Sequence, residues 1–402
     1  MIQLRTAWNR HIRFLVSSPA GGALALLLAS LAGFVMANGP WAGTYRAMVT
    51  LPMRLAMLGA HGPTTLNGWV SDGLMALFFL LVILEIRKEM ADGHLSSPRL
   101  VALPLVGAVG GMIMPALIYL GVTWGHGPAM RGWAIPVATD AAFTLPIILA
   151  LGARVSAAAR TWLMTLAIFD DVLGIIVIAL FYGSAPYWPA VLAAILVTAA
   201  LVAASRAGTR VLRVYVPGWI ILWGALLGSG LQPTLAGVIA GACLPATARS
   251  GHRSPSERVT RALAPFVTWL VLPLFGFMNV GVSLAGTRPG LLLAPVPLGI
   301  MLGLVVGKPV GVFGATLLAA RLKLASLPAT MPMGMLSGLC MLCGIGFTIS
   351  LFIAGQAFAA PEMLMTAKAG IFAGSVLSAL GGWVWLRFVL YPSRAGTMAG
   401  RP

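Results

Sequence analysis

Apolar residues run through this chain in blocks of about 20, and short polar links separate them. An α-helix rises 1.5 Å per residue, so a block of this length crosses a bilayer core about 30 Å thick. The pattern therefore predicts an all-α membrane protein with about 12 transmembrane helices. We place these spans at roughly 19–38, 66–88, 101–123, 130–151, 159–183, 187–205, 212–228, 231–246, 261–284, 293–319, 332–356 and 364–390.

The polar segments complete one integral membrane domain over residues 1–402. Residues 1–18 are expected to form a cytoplasmic N-terminal segment and 391–402 a cytoplasmic tail, on either side of a core at 19–390. The link "WAGTYRAMVTLPMRLAMLGAHG" is polar and partly β-branched. It predicts a short extracytoplasmic hairpin at about 43–56.

Two spans contain residues that interrupt a helix. In "GWAIPVATDAAFTLPIILA" two prolines bracket Thr139 and Asp140, and in "LCGIGFTISLF" Gly344 and Gly346 lie in mid-span. Backbone freed from a helix survives in a bilayer only when protein buries it or when it lines a wet cavity. Interruptions in corresponding spans, here 4 and 11, are typical of transporters with inverted-topology repeats whose broken helices cross near the bilayer midplane.

Composition and charge agree with a membrane location. Hydrophobic residues make up 59% of the chain, charged residues only 9%, and the mean hydropathy is +0.95. The net charge is +17. Most basic residues lie in links on the same side of the membrane as the N-terminus, and those on the opposite side are Arg46, Arg54, Arg131 and Arg288. This asymmetry predicts that both termini are cytoplasmic, and it explains the positive charge without nucleic acid. No cleavable signal peptide is apparent at the N-terminus.

Three of the nine acidic residues, Asp140, Asp170 and Asp171, lie within predicted spans and well away from the span ends, as does Lys308. Each charge in a membrane costs several kcal/mol, so these residues need a compensating role. Ion pairs that merely join helices would leave three acids and one lysine unbalanced. A wet cation site accounts for them better, because two repelling carboxylates can hold a proton and release it when a cation arrives.

The residue types suit a hard cation such as Na⁺, which prefers oxygen ligands. Asp170 and Asp171 are about 100° apart around a helix, so one can face a cavity while the other faces a neighbouring helix. Thr139 and the unwound backbone beside it can supply further oxygens, and Asp140 can offset the positive helix ends at a break. Lys308 can either pair with Asp170 or give up its own proton.

Other classes of function fit the sequence less well. Cys340 and Cys343 have redox spacing but lie in an apolar helix, and the five histidines form no metal-ligand cluster, so no cofactor is expected. An intramembrane aspartyl protease needs two aspartates facing each other from different helices, whereas Asp170 and Asp171 are adjacent on one. A channel or another cation-coupled carrier remains as an alternative, although a channel would not need titrating acids matched to a lysine.

The sequence resembles the NhaA family of sodium/proton antiporters. The similar stretches are "DGLMALFFLLVILEIRKEM", "AIPVATDAAF", "LAIFDDVLGIIVIALFY", "PTLAGVIAG", "LPLFGFMNVGVSL", "VGKPVGVF" and "CGIGFTISLFIA", in order over nearly the whole chain. The resemblance implies that Asp170 and Asp171 bind Na⁺ or Li⁺ and carry protons. It also implies that Thr139 and Asp140 form the pair at the interrupted helix, and that Lys308 is the lysine opposite the acids.

The resemblance implies further properties. These are electrogenic exchange of more than one H⁺ per Na⁺, activation at alkaline pH, and a homodimer in the bacterial inner membrane formed through the hairpin near 43–56. A cluster at the cytoplasmic mouth would respond to pH, and its members are Glu85, Arg87, Lys88 and Glu89. Two positions tied to pH response depart from the family pattern: Gln232 stands where histidine is usual, and Thr260, one turn after Glu257, stands where an acid is usual. These departures put the pH profile in doubt but leave the ion site intact.

Overall fold

A computed structural model describes residues 19–53, 63–92, 98–183, 185–246, 253–281, 290–328 and 330–390. Among them the backbone is helical apart from short links and one isolated antiparallel bridge, Pro52–Thr65. Nine helices within these ranges are long and apolar enough to cross a membrane, or eleven if each of two bent helix pairs counts as one span. The all-α membrane fold is thereby confirmed. The predicted segments 1–18 and 391–402, and the last part of the hairpin, lie outside the described residues.

The contacts divide the chain into two compact units, of which the first contains Met1–Pro98, Asp171–Leu291 and Leu351–Lys368. The helices lying wholly in it are α1 Pro19–Asn38, α2 Ala42–Val49, α3 Leu66–Gly68 continued by Trp69–Leu74 and Met75–Asp92, α7 Trp188–Arg206, α8 Leu212–Ser229, α9 Leu235–Cys243, and α10 Pro255–Phe266 continued by Val267–Val271 and Leu272–Val280. The middle parts of α3 and α10 are π-helical.

The second unit contains Arg99–Asp170, Leu292–Ser350 and Ala369–Pro402. Its elements are α4 Pro98–Val122, a 3-10 helix Gly127–Val137, α5 Ala141–Ala150, α11 Pro295–Leu302 continued by π-helical Gly303–Gly307 and Lys308–Arg321, and α12 Met333–Leu342. Three helices have several residues in each unit: α6 Ala157–Phe181, α13 Phe347–Ala357 and α14 Pro361–Leu390.

An apolar core holds the first unit together. Leu80 and Leu84 of α3, Leu222 of α8 and Ala236 and Ala240 of α9 are buried in one cluster. Small residues on α9 let it lie close to α3, because the two helices are then separated by little more than backbone. In the second unit α4 and α11 approach equally closely, at Gly110 and Gly311, and this contact fixes the helix that carries Lys308.

Two predicted elements take a different form in the structure. The predicted span 231–246 contains only the nine-residue helix α9, because α8 ends at the left-handed Gly230 and a turn through Pro233 follows. The start of the predicted hairpin is the helix α2, whose Tyr45 side chain is buried. The chain does return on itself after α2, since the Met53 N–H donates to the Thr64 carbonyl at 3.0 Å and the Leu66 N–H to the Leu51 carbonyl at 2.9 Å.

Candidate functional site

The first break in a helix lies between the 3-10 helix Gly127–Val137 and α5, which are bent by 40°. Ala138 and Asp140 have extended backbone conformations, and Asp140 is the N-cap residue of α5. Pro136 lies just before the break. The residue before a proline is disfavoured in the α conformation, and proline lacks an N–H, so a regular α-helix is hard to sustain here.

The second break lies between α12 and α13, which are bent by 43°. Here glycine permits close approach: a Cβ on Gly346 would come within 2.9 Å of the Ala138 carbonyl oxygen, and one on Gly344 would clash with the Leu304 carbonyl. The backbone of the second break therefore runs directly beside that of the first. The Asp140 N–H donates to the Ile345 carbonyl at 2.6 Å and joins the two breaks.

The Asp140 carboxylate caps the N-termini of both α5 and α13. Its Oδ1 accepts from the Ala142 N–H at 3.1 Å, and its Oδ2 accepts from the Thr348 N–H at 2.8 Å and the Thr348 hydroxyl at 2.6 Å. Asp140 is only 3% exposed. A helix N-terminus carries about half a positive charge, so one buried anion compensates two helix dipoles.

The C-terminal ends that lead into the two breaks are capped by other side chains. The Thr139 hydroxyl donates to the Cys343 carbonyl, at 2.7 Å, and the Lys308 ammonium donates to the Val137 carbonyl. The Ser350 hydroxyl donates to the Ile135 carbonyl, at 2.6 Å. These bonds satisfy carbonyl groups that a broken helix leaves without an intrahelical partner.

A buried ion pair adjoins the first break. The Lys308 Nζ lies 2.7 Å from both carboxylate oxygens of Asp170, and neither side chain is exposed. The Thr139 N–H also donates to Asp170 Oδ2, at 2.6 Å. An ammonium group has three donors, and Lys308 uses all three on Val137 and Asp170.

Asp171 follows Asp170 on α6 and is 8% exposed. The division of the chain into two units falls between these two residues. The structure thus brings Thr139, Asp140, Asp170 and Lys308 into one hydrogen-bonded network in the second unit, and α6 carries Asp171 directly beside it in sequence. Within the described ranges, no group of three or more His, Cys, Asp or Glu residues could hold a metal ion.

The four residues assigned to pH response lie on α3 in the first unit. Arg87 donates to the carbonyls of Gly241 at 2.8 Å, Ala242 at 2.7 Å and Leu244, which are at the C-terminal end of α9. Glu85 and Lys88 are exposed and Glu89 is half-buried. The guanidinium therefore caps a helix end, and it differs in this from its three charged neighbours.

The positions that depart from the family pattern also lie in the first unit. Gln232 is buried, and the Thr260 hydroxyl donates to the Ser256 carbonyl at 3.0 Å. Glu257 forms a capping box with Ser254 at the start of α10, with both reciprocal bonds at 3.2 Å. Glu257, the acidic residue nearest to Thr260 in sequence, thus caps the N-terminus of α10.

Thr348 is the site residue that the sequence did not reveal. Its partner Asp140 is 208 positions away in the chain, so no local pattern links them. One signal was available: α13 begins directly after Gly346, and a glycine N-cap has no side chain to accept the first N–H groups. The cap had to come from another element.

Comparison with known proteins decides the family. The family described as Na+/H+ antiporter 1 matches residues 13–386. The chain belongs to the NhaA family of sodium/proton antiporters. It is 66% identical to the Na(+)/H(+) antiporter NhaA of Gluconacetobacter diazotrophicus over 380 residues, which are 94% of this chain and 96% of that one.

Two further NhaA proteins match over nearly the same length. That of Gluconobacter oxydans is 65% identical over 390 residues, covering 96% of both chains, and that of Escherichia coli is 43% identical over 387 residues, covering 96% of this chain and all of the other. The resemblance to NhaA that the sequence motifs indicated is confirmed. The nine to eleven apolar helices agree with a multi-pass bacterial membrane protein.

Proposed function

We propose that this protein is an electrogenic antiporter that exchanges intracellular Na⁺ or Li⁺ for more than one external H⁺, in pH and sodium homeostasis. The observation that carries the proposal is the buried network of Thr139, Asp170 and Lys308 beside a helix break, with Asp171 next on the same helix. A secondary transporter uses such a site without a cofactor, since the ions are its substrates.

The cation would be held by Asp171 first and then by Asp170. Asp170 already accepts from Lys308 with both oxygens and from the Thr139 N–H. It can ligate a cation only when the lysine withdraws. The Thr139 hydroxyl donates its proton to Cys343, which leaves its oxygen lone pairs for a cation. Carboxylate and hydroxyl oxygens are the donors that a hard cation prefers.

Protons would be carried by the same two carboxylates. If both acids release their protons when one Na⁺ binds, the proton-loaded state and the sodium-loaded state differ by one elementary charge. The membrane potential then contributes about 2.3 kcal/mol per elementary charge per 100 mV. The three bonds of Lys308 support a lysine that pairs with Asp170 and keeps its proton, over one that carries a transported proton.

Alternating access would use the broken helices. In many carriers with inverted repeats, helices interrupted at mid-membrane form the ion site, and one repeat or bundle moves against the other around that site. We infer that both termini are cytoplasmic, in the inner membrane, because most basic residues lie in links on that side. The proposal includes a homodimer formed through residues 43–56 and contact with membrane lipid. It also includes a pH response from the cluster Glu85, Arg87, Lys88 and Glu89, in which Arg87 caps the end of α9.

The test is proton movement in everted vesicles, followed with a dye that reports the proton gradient, as Na⁺ or Li⁺ is added at several pH values. We expect Asp170→Asn and Asp171→Asn each to abolish the response while the protein still reaches the membrane. Wild-type exchange by either variant at saturating Na⁺ would remove that acid from the mechanism.

Potential dependence tests the charge accounting separately. In liposomes with an imposed potassium diffusion potential, wild-type exchange should respond to the potential, and Lys308→Gln should keep that response while losing stability. A Lys308→Gln protein that transports without responding would show that the lysine carries a proton. Flux far above carrier rates would indicate a channel, and Na⁺ uptake that depends on an organic solute would indicate a symporter.

A further inference from the structure

We propose that Thr348 is a positioning residue of the ion site: it fixes Asp140, and through Asp140 it fixes the Thr139 peptide group that holds Asp170. The assignment rests on the proposed exchange. Thr348 is 2% exposed and gives both its N–H and its hydroxyl to a single oxygen, Asp140 Oδ2, at 2.8 and 2.6 Å. It does not itself contact Asp170 in any hydrogen bond of the network described above.

The Thr139–Asp140 dipeptide is tied down mainly from the second break. The Thr139 hydroxyl binds the Cys343 carbonyl, the Asp140 N–H binds the Ile345 carbonyl, and the Asp140 carboxylate binds Thr348. Thr348 provides the side-chain donor that residues 343–348 contribute to this junction. The other two partners on the second break are backbone carbonyls.

One further bond of this dipeptide points toward the ion pair. The Thr139 N–H donates to Asp170 Oδ2 at 2.6 Å, so the position of this N–H sets where the Asp170 carboxylate is held. This N–H belongs to the planar peptide before Thr139, and the planar peptide that carries the Asp140 N–H follows after a single Cα, so a shift of Asp140 reaches the Thr139 N–H through the φ and ψ angles of Thr139. Loss of the Thr348 hydroxyl bond therefore loosens the Thr139 N–H, and the ion ligands lose part of their preorganisation.

The hydroxyl bond is of a strong type. The Thr348 hydroxyl lies 2.6 Å from Asp140 Oδ2 at a site closed to water, so the bond is short and its loss leaves a buried oxygen with one donor fewer. The expected consequence is a weaker site for the cation with an almost unchanged fold. A residue that merely fills space near the break would not have this effect.

Thr348→Val tests the assignment because valine keeps the shape of threonine and lacks its hydroxyl. We expect the apparent KM for Na⁺ to rise about tenfold in everted vesicles, which corresponds to about 1.4 kcal/mol, with a maximal rate within about twofold of wild type. Thr348→Ser restores the hydroxyl and should return the KM to within about twofold of wild type.

Thr144→Val is the matched control. Thr144 is 1% exposed, and its hydroxyl also binds Asp140, but at the backbone carbonyl, at 3.2 Å. Its loss should lower the Tm of the purified protein by no more than Thr348→Val does, and it should leave the KM unchanged. If Thr348→Val fails to reach the membrane, Thr348→Ala removes the same hydroxyl without adding bulk.

The outcomes separate two failures. If the wild type exchanges Na⁺ for H⁺, three results would overturn the role of Thr348 alone. They are an unchanged KM in Thr348→Val, an equal rise in KM in Thr144→Val, or no rescue by Thr348→Ser. A wild type that neither moves protons on Na⁺ addition nor gains Tm with Na⁺ overturns the proposed exchange as well. A raised KM with serine rescue and a silent control supports the assignment.

Discussion

The two helix breaks bend the chain by similar angles, 40° and 43°, with opposite chemistry. The first break supplies side chains: Thr139 and Asp140 cap helix ends on both sides. The second supplies mainly backbone groups, because Gly344 and Gly346 leave space for neighbouring atoms. Its Thr348 provides a side-chain donor. In this pair of broken helices, one break thus supplies polar capping side chains, and the other has glycine at the points of closest approach.

The difference has a physical basis. Four helix ends meet at one buried place, and each leaves backbone groups without intrahelical partners. Capping side chains need space, and that space is available only if the facing segment carries no Cβ at the closest points. The same asymmetry puts the polar side chains on the first break, where the Thr139 N–H also reaches Asp170.

The largest expected effect comes from removing the cation that serves the first break. Lys308→Ala would leave Asp170 buried without its partner and Val137 without its cap, and breaking one partner of a buried pair costs about 3–5 kcal/mol. We expect a corresponding loss in the free energy of unfolding, measured by denaturation of the purified protein. Arg321→Ala, at the exposed end of the same helix, should cost about 0.5 kcal/mol or less. A similar loss in both variants would contradict the pairing.

Asp140→Ala should break the polar side of the comparison. It removes caps from α5 and α13 together, and each lost N-cap costs about 1 kcal/mol, so we expect about 2 kcal/mol in unfolding free energy. Asp140→Asn keeps an oxygen acceptor and should cost about half as much, because the amide still caps but carries no charge. Equal losses in the two variants would mean that the charge, and not the hydrogen bonding, is what the break requires.

Gly344→Ala tests the second break, where the absence of a side chain permits close approach. Its new Cβ would meet the Leu304 carbonyl and the Ser378 side chain, and overpacking of this kind costs about 1–3 kcal/mol. Gly355→Ala in α13 is the control, because no atom lies within 4 Å of its added Cβ. We expect that control to raise the Tm slightly, since alanine favours helix over glycine. A stable Gly344→Ala protein with normal transport would contradict the need for a residue without a side chain at this position.

A hydroxyl cap outside the crossing gives the smallest effect. Tyr45 donates to the carbonyls of Phe277 and Met278 at the end of α10, at 2.7 and 3.1 Å. Tyr45→Phe should cost about 1 kcal/mol in unfolding free energy. Trp41→Phe, at an exposed position before α2, is the control and should cost less.

The pH dependence of this cap follows from its environment. Burial raises the pKa of the Tyr45 hydroxyl to about 12, above its usual value of 10.0. The stability that the group contributes is therefore fully present below pH 10, and it is lost as the pH rises from about 10 to about 12. The difference in Tm between wild type and Tyr45→Phe should be constant up to pH 9.5 or so and should shrink above it. A difference that varies between pH 7 and 9 would contradict this.

The sequence by itself determined much of this protein. Apolar blocks of about 20 residues predicted the membrane helices, and proline and glycine marked the two breaks, because both residue types act on the backbone where they stand. The cost of charge in a membrane singled out Asp140, Asp170, Asp171 and Lys308. The same local reasoning predicted a hairpin where α2 lies, since tertiary packing of Tyr45 outweighed a weak β preference.

Only the tertiary structure decided the partners. Thr139 meets Cys343 across 204 positions, Asp140 meets Thr348 across 208, and Lys308 meets Asp170 across 138. Arg87 could join its charged neighbours on α3 or reach the carbonyls of α9, and both readings fit the sequence. Helix ends present the same carbonyl and N–H groups whatever their sequence, so a local pattern shows that a cap is needed without showing which side chain provides it.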